Sequence, residues 1–132
     1  MILMDSSRLL GDCDVMAFAP TCDQARAIEF YRDKLGLRLI SQDGFAAVFD
    51  ANGITLRVSS VPQPLAPQPF MILGWKVPDI AAAVRSLESA GVIFERYPQI
   101  PQDELGIWAA PGGAKVAWFK DPDGNILSMT EF

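Results

Sequence analysis

The feature that most constrains this chain is a repeated pattern, in which a strand is followed by a helix that ends at a glycine. Gly36 closes the first predicted helix and Gly91 closes the second, 55 residues later. Glycine is common just after the last turn of a helix because it adopts the left-handed conformation without strain. A short apolar segment typical of a strand follows each glycine, at 37–40 and at 92–94. The sequence therefore predicts two copies of one structural unit.

The first copy is predicted to have the order β-α-β-β-β. Its elements are a strand at 13–19, a helix at 24–35 and strands at 37–41, 45–49 and 54–60. Thr21 or Asp23 is suited to cap the helix, since a short polar side chain can accept a hydrogen bond from the first free backbone amides. The strands are separated by Asp43-Gly44 and Asn52-Gly53, which favour tight hairpin turns.

The second copy begins after a segment at 61–69 that contains four prolines. Such a segment sustains neither a helix nor an interior strand, so it is predicted to be a linker. The repeated elements are a strand at 70–77, a helix at 80–90 after Asp79, and strands at 92–94, 115–120 and 125–132, with an insertion at 97–113. One domain over residues 1–132 is expected, with modules at about 13–60 and 70–132, because each half alone has a one-sided sheet that must be covered.

Composition excludes several classes of function. The chain has 11 Lys+Arg against 16 Asp+Glu and a net charge of −5 without a basic run, so a nucleic-acid partner is not expected. It has no histidine, which removes the commonest nitrogen ligand for transition metals and the commonest general base. No apolar run reaches the roughly 20 residues of a membrane span, and the N-terminus lacks the pattern of a signal peptide. We therefore expect no membrane partner and a cytoplasmic location.

Three segments together resemble the vicinal oxygen chelate superfamily. They are Ile28-Glu-Phe-Tyr-Arg-Asp-Lys-Leu-Gly36, Gly74-Trp-Lys-Val-Pro-Asp-Ile80 and Phe119-Lys-Asp-Pro-Asp-Gly-Asn125. The superfamily contains glyoxalase I, extradiol dioxygenases, fosfomycin-inactivating transferases and bleomycin-resistance proteins. The resemblance implies an α+β fold in which two tandem βαβββ modules form a cupped mixed β-sheet, the glyoxalase/bleomycin resistance/dihydroxybiphenyl dioxygenase-like fold. It also implies a homodimer.

The resemblance further implies where a divalent metal would be bound. The four ligand positions of the metalloenzymes fall on Met16, Arg57, Ile72 and Ser128. A thioether, a guanidinium, an aliphatic chain and a hydroxyl cannot replace carboxylate and imidazole ligands. Glu131 is three residues from Ser128 and is expected on the opposite face of the sheet. We therefore expect neither a family-type metal site nor another cofactor.

The same strand positions predict a binding pocket on the concave face of the sheet. The candidate ligand-binding residues are Met16, Phe18, Arg57, Ile72, Trp108 and Ser128. Met16, Phe18 and Ile72 are equally consistent with ordinary core. For Ser128, a strand residue satisfied by local hydrogen bonds is the favoured interpretation.

Two of these candidates carry alternatives of their own. Arg57 is expected to pair with Asp14 or to be exposed to solvent, and the other interpretation is that it binds an acidic group of a ligand. Trp108 lies in the insertion, where it either closes over the cup as part of a lid or anchors the loop.

Other aromatic and basic residues are assigned to structural positions. Trp75, Trp118, Phe30 and Tyr31 are predicted to join the helices to the convex face of the sheet. Lys115 and Lys120 are predicted to be solvated charges that discourage unwanted strand pairing.

The favoured function is the binding or sequestration of a small apolar or anionic molecule. The alternative is a metal-independent isomerase or lyase that uses Asp103 or Glu104 in the insertion as its base, with Arg57 stabilising an anionic intermediate. The sequence leaves open whether the protein is an enzyme.

Overall fold

A computed structural model describes residues 9–132, which form two four-stranded mixed sheets. The strands are β1 (Met16–Thr21), β2 (Arg38–Gln42), β3 (Ala46–Ala51), β4 (Ile54–Ser60), β5 (Met71–Lys76), β6 (Trp108–Ala109), β7 (Lys115–Lys120) and β8 (Ile126–Glu131). The helices are α1 (Gln24–Ile28), which continues as a π-helix over Glu29–Lys34, and α2 (Ile80–Ser89). A 3₁₀ turn, Leu9–Asp12, precedes β1.

The two sheets have the same topology, which confirms the predicted tandem βαβββ fold. The first sheet has the order β1-β4-β3-β2 and the second has the order β5-β8-β7-β6. In each sheet the first and last strands of the unit run parallel, and the remaining pairs are antiparallel. The division into modules at about 13–60 and 70–132 stays a prediction.

Both helices begin and end as their sequences predict. The side chains of Asp23 and Asp79 accept hydrogen bonds from the amides of Arg26 and Ala82 at 3.2 and 3.1 Å. Gly36 and Gly91 have φ angles of 79° and 94° after the last turns. The second half of the first helix is π-helical, a departure from the predicted α-helix. In this wider turn the adjacent residues Phe30 and Tyr31 are both buried, with their ring centroids 5.3 Å apart.

The segment predicted as a strand at 92–94 forms only one bridge, between Phe94 and Phe119. The chain leaves the sheet after Glu95, where the Tyr97 amide binds the side chain of Gln102 and Pro98 has no amide to donate. The edge position is instead taken by β6 at the end of the insertion. This short strand was not predicted.

One hydrophobic core is shared by both halves, and it lies between the sheets and the helices. Phe30 of the first half contacts Phe119 of the second at a centroid distance of 6.3 Å. The face of each sheet that carries the core is called the helix-covered face, and the opposite one the open face. On the helix-covered face Phe49, Leu56, Phe119 and Leu127 are all at most 1% exposed.

The turn after β7, Asp121–Asn125, fastens the second half to the first. The Tyr31 hydroxyl donates to Asp121 Oδ2 at 2.7 Å, and Asn125 Nδ2 donates to the Pro20 carbonyl at 2.9 Å. The Cys22 amide donates to Asp123 Oδ1 at 2.9 Å. Burial raises the pKa of Asp121, although hydrogen bonds from Asn125 and Tyr31 oppose the shift. Desolvation and the nearby Asp121 charge raise the pKa of Tyr31, which therefore remains a donor.

Candidate functional site

Trp118 lies at the centre of the open face of the second sheet. Its neighbour Phe119 is 1% exposed in the core, so strand alternation places Trp118 on the other face, opposite Ser128 of β8. The prediction that Trp118 packs on the helix-covered face is therefore wrong, whereas the same prediction for Trp75, Phe30 and Tyr31 is confirmed. The signal that would have found it is the pair of adjacent aromatic residues, Trp118 and Phe119, because neighbouring residues of a strand point to opposite faces.

Trp118 is surrounded by other aromatic and polarizable side chains. The Tyr97 ring stands nearly perpendicular to it, at a centroid distance of 5.5 Å and an angle of 82°. The Trp108 ring lies 6.0 Å away at 30°. Trp118 Nε1 donates to Met71 Sδ at 3.1 Å. Trp108 belongs to β6, where it pairs with Val116, so it is a strand residue that contacts Trp118.

An open cleft of about 770 Å³ lies over Trp118. We call it the Trp118 cleft. Its lining residues are Pro67, Gln68, Pro69, Phe70, Met71, Tyr97, Gln99, Ile100, Trp118, Lys120, Gly124 and Ile126. The second sheet therefore provides its floor, and the proline-rich segment and the start of the insertion provide its walls.

The charge of the Trp118 cleft is small. Lys120 is the charged residue of its lining within the described chain, and Lys120 Nζ is 3.4 Å from Glu95 Oε1. The side chain of Lys120 is 47% exposed, so it is solvated as predicted but is also paired. The cleft therefore presents a mainly apolar and aromatic surface with a partly neutralised cation at its edge.

The insertion is held by hydrogen bonds across its base. Gln102 Oε1 accepts from the Tyr97 amide at 2.7 Å, and Gln102 Nε2 donates to the carbonyls of Glu95 and Gly106 at 3.0 and 2.8 Å. The Arg96 guanidinium donates to the carbonyls of Asp103 and Glu104. These contacts fix the neck of the loop and hence the position of Tyr97 against Trp118.

The carboxylates proposed as a base do not face the Trp118 cleft. Asp103 Oδ1 accepts hydrogen bonds from the amides of Leu105 and Ile107, both at 2.9 Å, and so serves to shape the turn. Asp103 lines a different cleft, beside the start of α2. Glu104 is exposed. In residues 9–132 the lining of the Trp118 cleft includes no carboxylate, so the arrangement does not favour the isomerase or lyase alternative.

Three of the candidate residues lie on the first sheet, away from the Trp118 cleft. Met16 pairs with Thr55 and Phe18 pairs with Arg57 in the parallel β1–β4 ladder. Met16 and Phe18 are 50% and 57% exposed, so neither is the ordinary core residue that the sequence also allowed. Arg57 is half-buried on the same face.

An irregularity in β5 decides which face of the second sheet Ile72 occupies, and it lies near Ser128 of the neighbouring strand. Met71 pairs with Ile126 and Leu73 with Leu127, which leaves Ile72 as an extra residue. Met71 therefore contacts Trp118, whereas Ile72 packs against the core. Ser128 is 6% exposed, and a Cβ added at the adjacent Gly74 would lie 2.8 Å from its Oγ. Ligand binding by Ile72 and Ser128 stays a prediction.

The side chains at the metal-ligand positions do not fit a divalent ion. Met16 and Arg57 lie on the first sheet, Ile72 packs into the core, and Ser128 offers a single hydroxyl. Glu131 is held at the start of α2, where Oε1 accepts from the Ile80 amide at 2.9 Å. Over the described part of the chain, no group of three or more histidine, cysteine, aspartate or glutamate side chains is arranged to hold a metal.

Neither described helix is long and apolar enough to cross a membrane. No curated protein matches the chain.

Solved structures with the same architecture include three with broad coverage. A glyoxalase/bleomycin resistance protein/dioxygenase from Alicyclobacillus acidocaldarius is 17% identical, with a TM-score of 0.68 and coverage of 92% of both chains. Lactoylglutathione lyase from Agrobacterium tumefaciens is 18% identical, with a TM-score of 0.65 and coverage of 90% of this chain and 93% of its own. A glyoxalase/bleomycin resistance protein/dioxygenase from Nocardioides is 19% identical, with a TM-score of 0.67 and coverage of 89% and 83%. At this identity the similarity shows the fold.

The family assignment rests on the sequence rather than on these structures. The model of one family matches residues 15–129, which include both helices, the Asp121–Asn125 turn and both sheets except the last two residues of β8. With the duplicated topology and the shared core described above, this match establishes that the chain belongs to the Glyoxalase/Bleomycin resistance protein/Dioxygenase superfamily.

Proposed function

We propose that the protein binds a small, mainly apolar molecule with a flat conjugated group in the Trp118 cleft. The observation that carries the proposal is the pair of nearly perpendicular rings of Tyr97 and Trp118, 5.5 Å apart, at the wall and the floor of an apolar cleft. The volume of about 770 Å³ falls within the range of small-molecule sites.

The lining favours flat ligands for two reasons. A conjugated ring can stack on Trp118 while its edge meets the face of Tyr97, and both geometries are favoured between aromatic groups. Met71 adds a polarizable thioether that adapts to the ligand outline. A saturated ligand of the same size gains only the burial of apolar area, so it is expected to bind more weakly.

Binding or sequestration without turnover is the form of this function that the lining supports. The family ligand positions carry no suitable donor set, and the carboxylates of the insertion face elsewhere. Trp108 and Ser128 belong to this proposal as neighbours of Trp118, one in ring contact and one in register across the sheet.

Paired probes test the proposal. Isothermal titration with 2-naphthol and with its saturated counterpart decahydro-2-naphthol should show tighter binding of the flat molecule. Trp118→Ala should weaken 2-naphthol binding by roughly tenfold or more, which corresponds to the loss of one aromatic stacking contact. The matched control is Trp75→Phe, because Trp75 packs on the opposite face of the sheet. Equal binding of both probes, or a folded Trp118→Ala protein with unchanged affinity, contradicts the proposal.

A homodimer is part of the same proposal. The exposure of Met16, Phe18 and Phe45, each at least 50%, leaves apolar surface that a second copy would cover. Sedimentation equilibrium should give a mass near twice 14.4 kDa. A single species of 14.4 kDa at all concentrations contradicts it.

A further inference from the structure

The charged residue of the Trp118 cleft lies beside its aromatic floor. Lys120 follows Trp118 by two residues on β7, so strand alternation puts both side chains on the open face. Lys120 also pairs in register with Ile126, and both residues line the cleft. Residues two apart along a strand are separated by about 7 Å. A ring stacked on Trp118 can therefore carry a substituent that reaches the ammonium of Lys120.

The internal partner of Lys120 is held loosely. Lys120 Nζ is 3.4 Å from Glu95 Oε1, which is longer than the roughly 2.7–2.9 Å of a charge-assisted hydrogen bond. The two side chains are 47% and 27% exposed, and an ion pair with this exposure contributes little to stability. An ammonium has three donors, so one carboxylate at this distance leaves Lys120 able to bind another anion.

The wall of the cleft lies close to both of these charges. Desolvation raises the pKa of Tyr97, the charge of Glu95 raises it further, and the charge of Lys120 lowers it. The Tyr97 ring also contacts Trp118 at a centroid distance of 5.5 Å. Glu95 is outside the cleft lining, and the lining includes no carboxylate within residues 9–132. Lys120 is therefore the group of the described lining that can select the charge of a ligand.

We propose that Lys120 determines the charge preference of the Trp118 cleft, so that its preferred ligands are flat aromatic carboxylates. The ring of the ligand stacks on Trp118, and its carboxylate binds Lys120 in place of Glu95. In the empty protein Glu95 competes for Lys120 and so lowers the affinity for the ligand. This inference rests on the function proposed for the cleft, to which it adds the charge of the ligand and the residue that recognises it.

2-Naphthoate and 2-naphthamide are the probes, because they share a ring system and a similar outline but differ in charge at pH 7. Isothermal titration of the full chain should show that 2-naphthoate binds roughly tenfold more tightly, since it gains a charge-assisted contact. Lys120→Met should abolish most of this preference, and Lys120→Arg should retain part of it. Added NaCl should weaken the binding of 2-naphthoate but not that of 2-naphthamide.

The two partners of the ion pair should have opposite effects on 2-naphthoate binding. Glu95→Gln removes the competing carboxylate and should strengthen the binding by roughly two- to fivefold. Lys115→Met is the matched control, because Lys115 is an exposed lysine at the other end of β7 and lines a different cleft. This control should leave the preference for 2-naphthoate unchanged.

The proposal is overturned if the wild type binds both probes equally, or if folded Lys120→Met keeps the preference. It is also overturned if Glu95→Gln weakens 2-naphthoate binding, because Glu95 would then hold Lys120 in place rather than compete with the ligand. Binding of 2-naphthol that depends on Trp118, together with equal binding of 2-naphthoate and 2-naphthamide, contradicts this inference alone. Absence of binding of all three molecules contradicts the function proposed for the cleft as well.

Discussion

The open faces of the two sheets differ although the sheets have the same strand order. The second sheet is bordered by the insertion and the proline-rich segment, which produce the Trp118 cleft. On the first sheet, Met16 and Phe18 remain half exposed beside Arg57. In the first half β2 follows the helix directly, whereas in the second half the insertion intervenes before β6. Two copies of one unit thus acquire different surfaces through their connections, where binding residues often lie.

The helix-covered faces of the two sheets should resemble each other more than the open faces do. Truncation of one phenylalanine in each sheet compares how much the two helix-covered faces contribute to stability. Phe119 contacts the rings of Phe30, Trp75 and Phe94, whereas Phe49 contacts the ring of Tyr31. Phe119→Ala should lower the free energy of unfolding by about 3–5 kcal/mol, and Phe49→Ala by an amount toward the lower end of that range. Urea denaturation measures both values. A larger loss for Phe49→Ala would show that the number of ring contacts does not predict which of the two phenylalanines contributes more to stability.

The contact between the Asp121–Asn125 turn and the first half of the chain should depend for its stability on the Tyr31 hydroxyl. Tyr31→Phe leaves the buried Asp121 without one of its donors, so the free energy of unfolding should fall by about 1–3 kcal/mol. Tyr97→Phe is the control, because no hydrogen bond of the Tyr97 hydroxyl occurs among the described residues, and it should change stability by less than about 0.5 kcal/mol. Equal effects of the two substitutions in thermal or urea unfolding would show that the hydrogen bond from Tyr31 to Asp121 adds no stability of its own.

A glycine on each half tests how closely the strands are packed. Gly74→Ala brings a Cβ within 2.8 Å of Ser128 Oγ, so rotation of the serine or a small backbone shift is required. A loss of about 1 kcal/mol is expected. Gly44→Ala meets no atom within 4 Å and should have almost no effect. The double variant Gly74→Ala/Ser128→Ala should recover most of the loss; a loss that persists would locate the strain in the backbone.

Two turn aspartates should change stability with pH in opposite directions. Burial raises the pKa of Asp121 above 3.8, so the folded chain holds this proton to a higher pH than the unfolded chain does. Its contribution to stability therefore falls as pH rises from near 3.8 through the raised pKa. Amides lower the pKa of Asp43, so its contribution is present above 3.8 and is lost as pH falls through the lowered pKa.

Unfolding of the wild type, Asp121→Asn and Asp43→Asn between pH 3 and 7 checks these signs. The wild-type advantage over Asp121→Asn should shrink as pH rises, and the advantage over Asp43→Asn should grow. Parallel curves for all three proteins would contradict the assigned protonation. This is the smallest of the expected effects, because each variant changes one titration.

The duplicated fold was predictable because its signals are local. Asp23 and Gly36 mark the ends of one helix, and Asp79 and Gly91 mark the ends of the other. The alternation within 54–60 likewise predicts the bounds of β4. Such signals depend on backbone conformation over a few residues, and the tertiary structure leaves them unchanged.

The candidate site was predictable only in part because it depends on register and on the insertion. One extra residue in β5 gives Met71 the position on the open face that was expected for Ile72. No turn residue in the sequence indicates this bulge. Trp118 was assigned to the wrong face because its aromatic character suggested core, although the neighbouring Phe119 already fills that position. The contact between Tyr97 and Trp118 joins distant segments, and nothing in their spacing indicates it.

The three hydrogen bonds of Gln102 have a consequence for how this protein can change over time. They clamp the two ends of the segment from Tyr97 to Gly106, while Gln99 and Ile100 between them face the cleft. Substitutions at these two positions can alter which molecules fit without disturbing the clamp or the scaffold below it. The sequence of this loop can thus vary while its two ends stay fixed. New ligand preferences can arise there with little effect on the stability of the fold.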